Sequence, residues 1–235
     1  PIKVGSLHAP SATIDDSGRF LAFFNVKEGK TPRGWNDVMT LPRCLSLSAD
    51  NALQIEPATE VESLRFGHRS VDLMEVPAGG EVALESIRGK ALEIGAVIDP
   101  CSAREVGLCV LRSPDGAEQT RISLYHKGGG RRRSSPIQVD VSMASIRNDV
   151  YARPPEIGPF DLEDGELLRL RIFVDRSIVE VFANGRQCLT VRLYPEREDS
   201  SGVSIFARGG AAKLVSFDSW QMRSVWPELK DCEGR

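Results

Sequence analysis

The sequence predicts an all-β chain built mainly as a sandwich of two antiparallel sheets. Three observations carry that expectation. Residues 168 to 193 read as three consecutive strands, Leu168 to Val174, Ile178 to Ala183 and Gln187 to Leu193, each dense in β-branched, aromatic and aliphatic side chains. From Gly67 onward, similar short runs recur about every ten residues between clusters of turn formers, the cadence of a sandwich. Helical patterning is confined to Pro57 and the ATEVESLR that follows, room for one or two turns.

The central hairpin sets the expected register. Asn184 and Gly185 tolerate the positive φ that a two-residue type I′ turn needs. Counting back from such a turn places Phe182 opposite Gln187, Val181 opposite Cys188, Glu180 opposite Leu189 and Ile178 opposite Val191. Both faces of this ribbon are largely apolar, so it belongs where one sheet packs on another and further protein covers the outside.

Taken in order, Asp15-Asp16-Ser17-Gly18 reads as a turn and Arg19 to Val26 as a strand carrying Phe20, Phe23 and Phe24. A loop from Lys27 to Gly34 leads to a strand pair around Trp35 to Leu47. Further strands are expected at Ser70 to Val76, Ala91 to Ile98, Val106 to Arg112, Thr120 to Lys127 and Ile137 to Ser142. Pro77-Ala78-Gly79-Gly80, Asp99-Pro100, Ser113-Pro114-Asp115-Gly116 and Gly128-Gly129-Gly130 punctuate them. Arg147 to Glu166, rich in proline, reads as an irregular crossing. Strands at Gly202 to Arg208 and Ala212 to Met222 close the sandwich, and Pro227 to Arg235 is a polar tail.

Composition excludes several functions. The 235 residues carry a net charge of −3 with both signs well mixed, which argues against nucleic acid or a membrane surface as partner. No apolar run reaches the length of a membrane span, and Pro1 to Pro10 lacks the build of a signal peptide. The five cysteines, Cys44, Cys101, Cys109, Cys188 and Cys232, are an odd number at irregular spacings. That favours buried free thiols and a cytoplasmic setting, or a secreted one if an upstream leader has been removed. His8, His68 and His126 stand far from any cysteine or histidine at ligand spacing, so no metal site and no cofactor is expected. Lys127 to Arg133 offers glycine backbone and arginine forks to an anion, but it lacks the spacing of a phosphate loop and reads as a solvated hairpin tip.

Two motifs resemble a known family. FVDRSIVEVFANG (Phe173 to Gly185), followed by VRLYP (Val191 to Pro195), is similar to the C-terminal sandwich of glycoside hydrolase family 32, the invertases, inulinases and levanases. GWNDVMTLPRCLSL (Gly34 to Leu47) resembles the Gly-Trp-x-x-Val-x-Thr-Leu-Pro-Arg run that closes the family's fifth propeller blade. The resemblance implies a concanavalin-like sandwich preceded by a partial β-propeller blade. Residues 1–48 are then the blade remnant, 49–66 a linker, 67–225 the sandwich and 226–235 the tail.

The same resemblance makes the absences informative. Family members place a nucleophile in Trp-x-Asn-Asp-Pro, a stabilising aspartate in Arg-Asp-Pro and an acid/base glutamate in Glu-Cys, the paired carboxylates that retaining hydrolysis requires. Here Asn36-Asp37 and Asn148-Asp149 lack the proline, Asp99-Pro100 follows Ile98, and no cysteine follows a glutamate. No catalytic residue is assigned. Ser6 and His8 stand where the family has a sugar-holding aspartate and a tyrosine. Five residues are candidates for substrate contact: Phe24, which aligns with a platform tryptophan, together with Trp35, Asp175, Arg176 and Glu180. Each has a structural alternative, core packing for Phe24 and Trp35, an ion pair with Arg176 for Glu180.

The expected function is the non-catalytic C-terminal portion, or a truncated relative, of a β-fructofuranosidase-like enzyme. The alternative is a carbohydrate-binding module for fructose-containing saccharides. Partners would be such a saccharide, a companion propeller chain or a second copy of the chain.

Overall fold

The computed structural model describes residues 7–30, 36–126 and 135–226. Trp35, Ser6, the Lys127 to Arg133 loop, Cys232 and the polar tail therefore lie outside the described residues. The strands are β1 (Leu7–Ile14), β2 (Phe20–Val26), β3 (Val38–Met39), β4 (Arg43–Leu47), β5 (Leu53–Pro57), β6 (Arg65–Val71), β7 (Met74–Val76), β8 (Glu81–Arg88) and β9 (Ala91–Asp99). They continue with β10 (Glu105–Arg112), β11 (Thr120–Tyr125), β12 (Ile137–Asp140), β13 (Glu156–Gly158), β14 (Leu168–Asp175), β15 (Ile178–Ala183), β16 (Gln187–Arg192), β17 (Gly202–Arg208) and β18 (Ala212–Met222).

Three antiparallel sheets result. A flanking sheet runs β1-β2-β4-β5 with β3 paired to β2; a six-stranded sheet runs β13-β12-β11-β10-β17-β8; a seven-stranded sheet runs β16-β15-β14-β9-β18-β6 with β7 on β18. The two larger sheets face each other. On β14, Leu168, Leu170, Ile172 and Val174 enter one core with Val106, Leu108, Ile122, Leu124 and Ile205 from the opposite sheet. Each buried aliphatic side chain of this kind contributes about 1.5–3 kcal/mol, so face-to-face packing is what holds the sandwich. The chain is all-β, as the strand cadence indicates.

The structure corrects the hairpin register. Asn184 and Gly185 do take positive φ, 47° and 65°. The loop, however, has a third residue, Arg186, so Ala183 pairs with Gln187, Phe182 with Cys188, Glu180 with Thr190 and Ile178 with Arg192. The cause lies outside the hairpin: Arg186 is held by Glu166, the Asn184 side chain bonds Leu167 O and Glu166, and Gly185 O accepts the Ile55 N–H at 2.7 Å. An added Cβ at Gly185 would also meet Glu56. Elsewhere, β5 and a short 3-10 helix (Thr59–Leu64) occupy the stretch read as linker. The strand expected at Ser70 to Val76 is two, β6 and β7, and β13 interrupts the irregular crossing.

Three loops at one end of the sandwich converge on a single buried carboxylate. Glu118, with no solvent exposure, accepts N–H groups from Ile146 and Glu196 at 2.9 Å and from Arg197 at 3.0 Å, plus the Ser200 hydroxyl at 2.6 Å. Burial pushes its pKa up, but these four donors outweigh burial and hold it below the ordinary carboxylate value. Its contribution is therefore complete above the ordinary value and lost as pH falls through the depressed one. Denaturant melts of Glu118→Gln should show a loss of about 1–3 kcal/mol near neutrality, and a difference from wild type that shrinks between about pH 6 and about pH 3. A constant difference would count against this assignment.

Candidate functional site

The flanking sheet meets the sandwich at a joint built around Glu180. Alternation along β15 sends Val179, Val181 and Ala183 into the core, and so turns Glu180 and Phe182 to the outer face of the seven-stranded sheet. The flanking sheet covers them there. Glu180 and Arg43 are both almost fully buried. Arg43 Nη2 lies 2.8 Å from Glu180 Oε2 and donates to Thr190 Oγ1 at 2.6 Å; the Leu41 N–H donates to Glu180 Oε1 at 2.6 Å. The Arg43 guanidinium also sits 5.0 Å from the Phe24 ring centroid and 5.9 Å from that of Phe182. Phe182 and Phe173 meet edge to face, with Val61 closing the cluster. Burial pushes the Glu180 carboxyl up in pKa against the pull of Arg43 and its donors.

A second buried pair fixes the other end of the joint. Arg192 Nη2 lies 3.5 Å from Glu28 Oε2, and the Tyr194 hydroxyl accepts the Gly29 N–H at 2.9 Å. On the same outer face, Glu93 is fully buried beneath Arg65 and Arg171, and Arg65 lies 4.2 Å from the Trp220 ring.

Two of the candidate substrate contacts come together here, and two do not. Phe24 and Glu180 are joined through Arg43. Asp175 and Arg176 are exposed at the turn between β14 and β15, where Arg176 has φ 51° and donates its N–H to Lys90 O. The ion-pair reading of Glu180 was right in kind, but its partner is Arg43 from β4 and not Arg176, because Arg176 sits in the turn and not on the strand face. Trp35 lies outside the described residues. His8 Nε2 is 3.5 Å from Asp37 Oδ2.

Beside the joint is a cleft of about 360 Å³ between β5 and the β14–β15 hairpin, lined by Glu56, Glu166, Arg169, Arg171, Phe182 and Asn184. Glu56 and Arg169 make no side-chain hydrogen bond within the described protein, whereas Glu166 and Arg171 are paired. Burial raises the pKa of Glu56, opposed by the Arg171 charge. Acids, guanidinium groups and an amide on one wall suit hydroxyl groups better than a single charged ligand.

A two-sheet sandwich with a third antiparallel sheet pinned to one outer face by buried ion pairs defines a class of all-β chain, and comparison with known proteins agrees. The family model for glycosyl hydrolases family 32, C terminal, matches residues 60–221. The chain is 34% identical over 230 residues to beta-fructofuranosidase 1 of Zea mays and 30% identical over 200 residues to levanase of Bacillus subtilis. These alignments take in 83% and 82% of this chain but only 34% and 28% of the relatives. Fructan 1-exohydrolase IIa from Cichorium intybus shares the fold, with a TM-score of 0.84 at 21% identity over 94% of this chain and 49% of that one. The exo-inulinase of Aspergillus awamori does so with a TM-score of 0.76 at 19% identity, over 95% and 45%. The chain belongs to glycoside hydrolase family 32 and corresponds to its C-terminal region. It spans about a third of the length of the curated relatives quoted.

Removing one charge of the Arg43–Glu180 pair strands the other in the joint. Glu180→Ala should destabilise the chain by about 3–5 kcal/mol, and Arg43→Met combined with Glu180→Leu should recover most of that loss. A double-mutant cycle in urea measures it; additive losses would mean that the two charges do not interact.

Proposed function

We propose that this chain is the non-catalytic C-terminal portion of a β-fructofuranosidase-like glycoside hydrolase, with its first strands forming a seat for polypeptide that carries the catalytic carboxylates. The boundary between seat and sandwich falls near Phe66. The observation that carries this reading is the apolar surface of the flanking sheet. Ile14, Phe20 and Leu45 are paired across β1, β2 and β4, and Leu47 and Leu53 form an outer pair on the same face. Ile14, Phe20, Leu47 and Leu53 are 67, 43, 66 and 51% exposed. Contiguous apolar side chains on a sheet whose strand β1 is paired on one side only among the described residues call for a covering partner. The missing Asn-Asp-Pro, Arg-Asp-Pro and Glu-Cys runs and the short coverage of the relatives point the same way.

Supplied alone, the chain should release no fructose from sucrose, inulin or levan, and should self-associate in light scattering at tens of micromolar through this apolar face. Leu47→Glu with Leu53→Glu should return it to a monomer. Fructose release by the purified chain, or a wild-type monomer, would overturn the reading.

A second reading, a binding module for fructose-containing saccharides, is favoured by the cleft, where the side chains of Glu56 and Arg169 make no hydrogen bond among the described residues and stand beside Asn184. Calorimetry with the same three saccharides tests it. Heat that disappears in Glu56→Gln and Arg169→Met supports the cleft; no heat with any of them removes it.

A further inference from the structure

The cleft of about 360 Å³ beside the joint has walls that belong to two different parts of the chain. Glu56 projects from β5 of the flanking sheet, whereas Arg169 on β14, Phe182 on β15 and Asn184 at the hairpin tip belong to the sandwich. β5 meets that tip through the Ile55 N–H, which donates to Gly185 O at 2.7 Å. Glycine is required at position 185: its φ is 65°, and an added Cβ would run into Glu56 Oε1 and lie 3.1 Å from Gln54 Oε1. Two polar side chains of β5 therefore converge over the hairpin.

Across the cleft stands Arg169. Its side chain and that of Glu56 are open to solvent and face the same cavity, yet neither makes a hydrogen bond or ion pair among the described residues. The other charged groups lining the space are committed, Arg171 to Glu93 and Glu62, and Glu166 to Arg186 and Asn184. An acceptor without a partner thus sits on one part of the chain and a donor without a partner on the other. One occupant lying between them satisfies both. A saccharide has the chemistry for it, since one hydroxyl donates to Glu56 while its neighbour accepts from Arg169. The volume is at the small end of the range for small-molecule pockets, roughly 300–1,000 Å³.

We propose that the occupied cleft is a clamp: a saccharide held by Glu56 and Arg169 together keeps the flanking sheet closed on the sandwich. The clamp rests on the second reading above, that the cleft takes fructose-containing saccharides, and gives that binding a regulatory consequence. Lifting β5 away breaks the bond from Ile55 to Gly185 and separates Glu56 from Arg169, so a ligand that needs both binds the closed joint alone. Mass action then makes opening rarer as the ligand rises, and whatever else holds the sheet closed tightens the ligand by the same factor.

Hydrogen exchange of the full chain, with and without sucrose or a short inulin oligosaccharide, tests the clamp, with calorimetry on the same samples. The amides of Ile55 and Leu41 report the joint, because their bonds to Gly185 O and Glu180 Oε1 cross it. At a free ligand concentration ten times the measured dissociation constant, both should exchange about tenfold more slowly. Amides bonded between β1 and β2 should keep their rates, and trehalose at the same concentration should slow none of them. Glu56→Gln and Arg169→Met should each lose the slowing at the concentration that produces it in wild type. Heat without slowing at Ile55 and Leu41, equal slowing at every amide, or slowing that survives both substitutions would overturn the clamp and leave the saccharide reading standing. No heat with either sugar would overturn both.

Discussion

Two opposite charges buried together, Arg43 and Glu180, set the geometry on which the rest of the molecule depends. Taking ions out of water costs several kcal/mol each, recovered only when they meet in good geometry with their remaining positions satisfied. Such a pair tolerates little displacement. Leu41, Thr190 and the rings of Phe24 and Phe182 close around it, and the Arg192–Glu28 contact adds a second fixed point. A sheet pinned at two points cannot pivot, so the apolar side chains that continue beyond the joint on the face carrying Arg43 are held in one orientation.

Much of the fold was legible because strand chemistry is local. The runs from Leu168 to Leu193 and from Gly202 to Met222 are apolar enough to be strands in any context, and turn residues mark their ends. What escaped was decided by contacts distant in sequence. Gln54 to Glu56 looks polar and unpromising, yet β5 forms because β4 on one side and the tip of the β15–β16 hairpin on the other supply its hydrogen bonds. The hairpin loop is longer than its Asn-Gly implies because Glu166 claims Arg186. Glu156 to Gly158 pairs only because β12 happens to present an edge.

The joint was half legible. Glu180, lone among apolar neighbours, had to find a partner, but nothing nearby identifies a residue far upstream as that partner. A more general signal was available. Arg43 in PRCLSL, Glu93 in ALEIGAV and Arg192 in TVRLY are each a single charge inside an apolar strand, and all three prove buried and paired. Charges are rarely buried without partners, so a charge that interrupts an apolar strand marks a buried pair, across the joint for Arg43 and Arg192 and within the seven-stranded sheet for Glu93. Phe24 came from resemblance alone, and its neighbour is an arginine.

Cys188 gives this joint a built-in clock. The thiol is packed against the Phe173 and Phe182 cluster, and burial pushes its pKa up to about 12. It therefore offers almost no thiolate at neutral pH. The thiol is partly exposed in the closed joint, so labelling there is slow for want of thiolate, and a rise in its rate reports the flanking sheet lifting away.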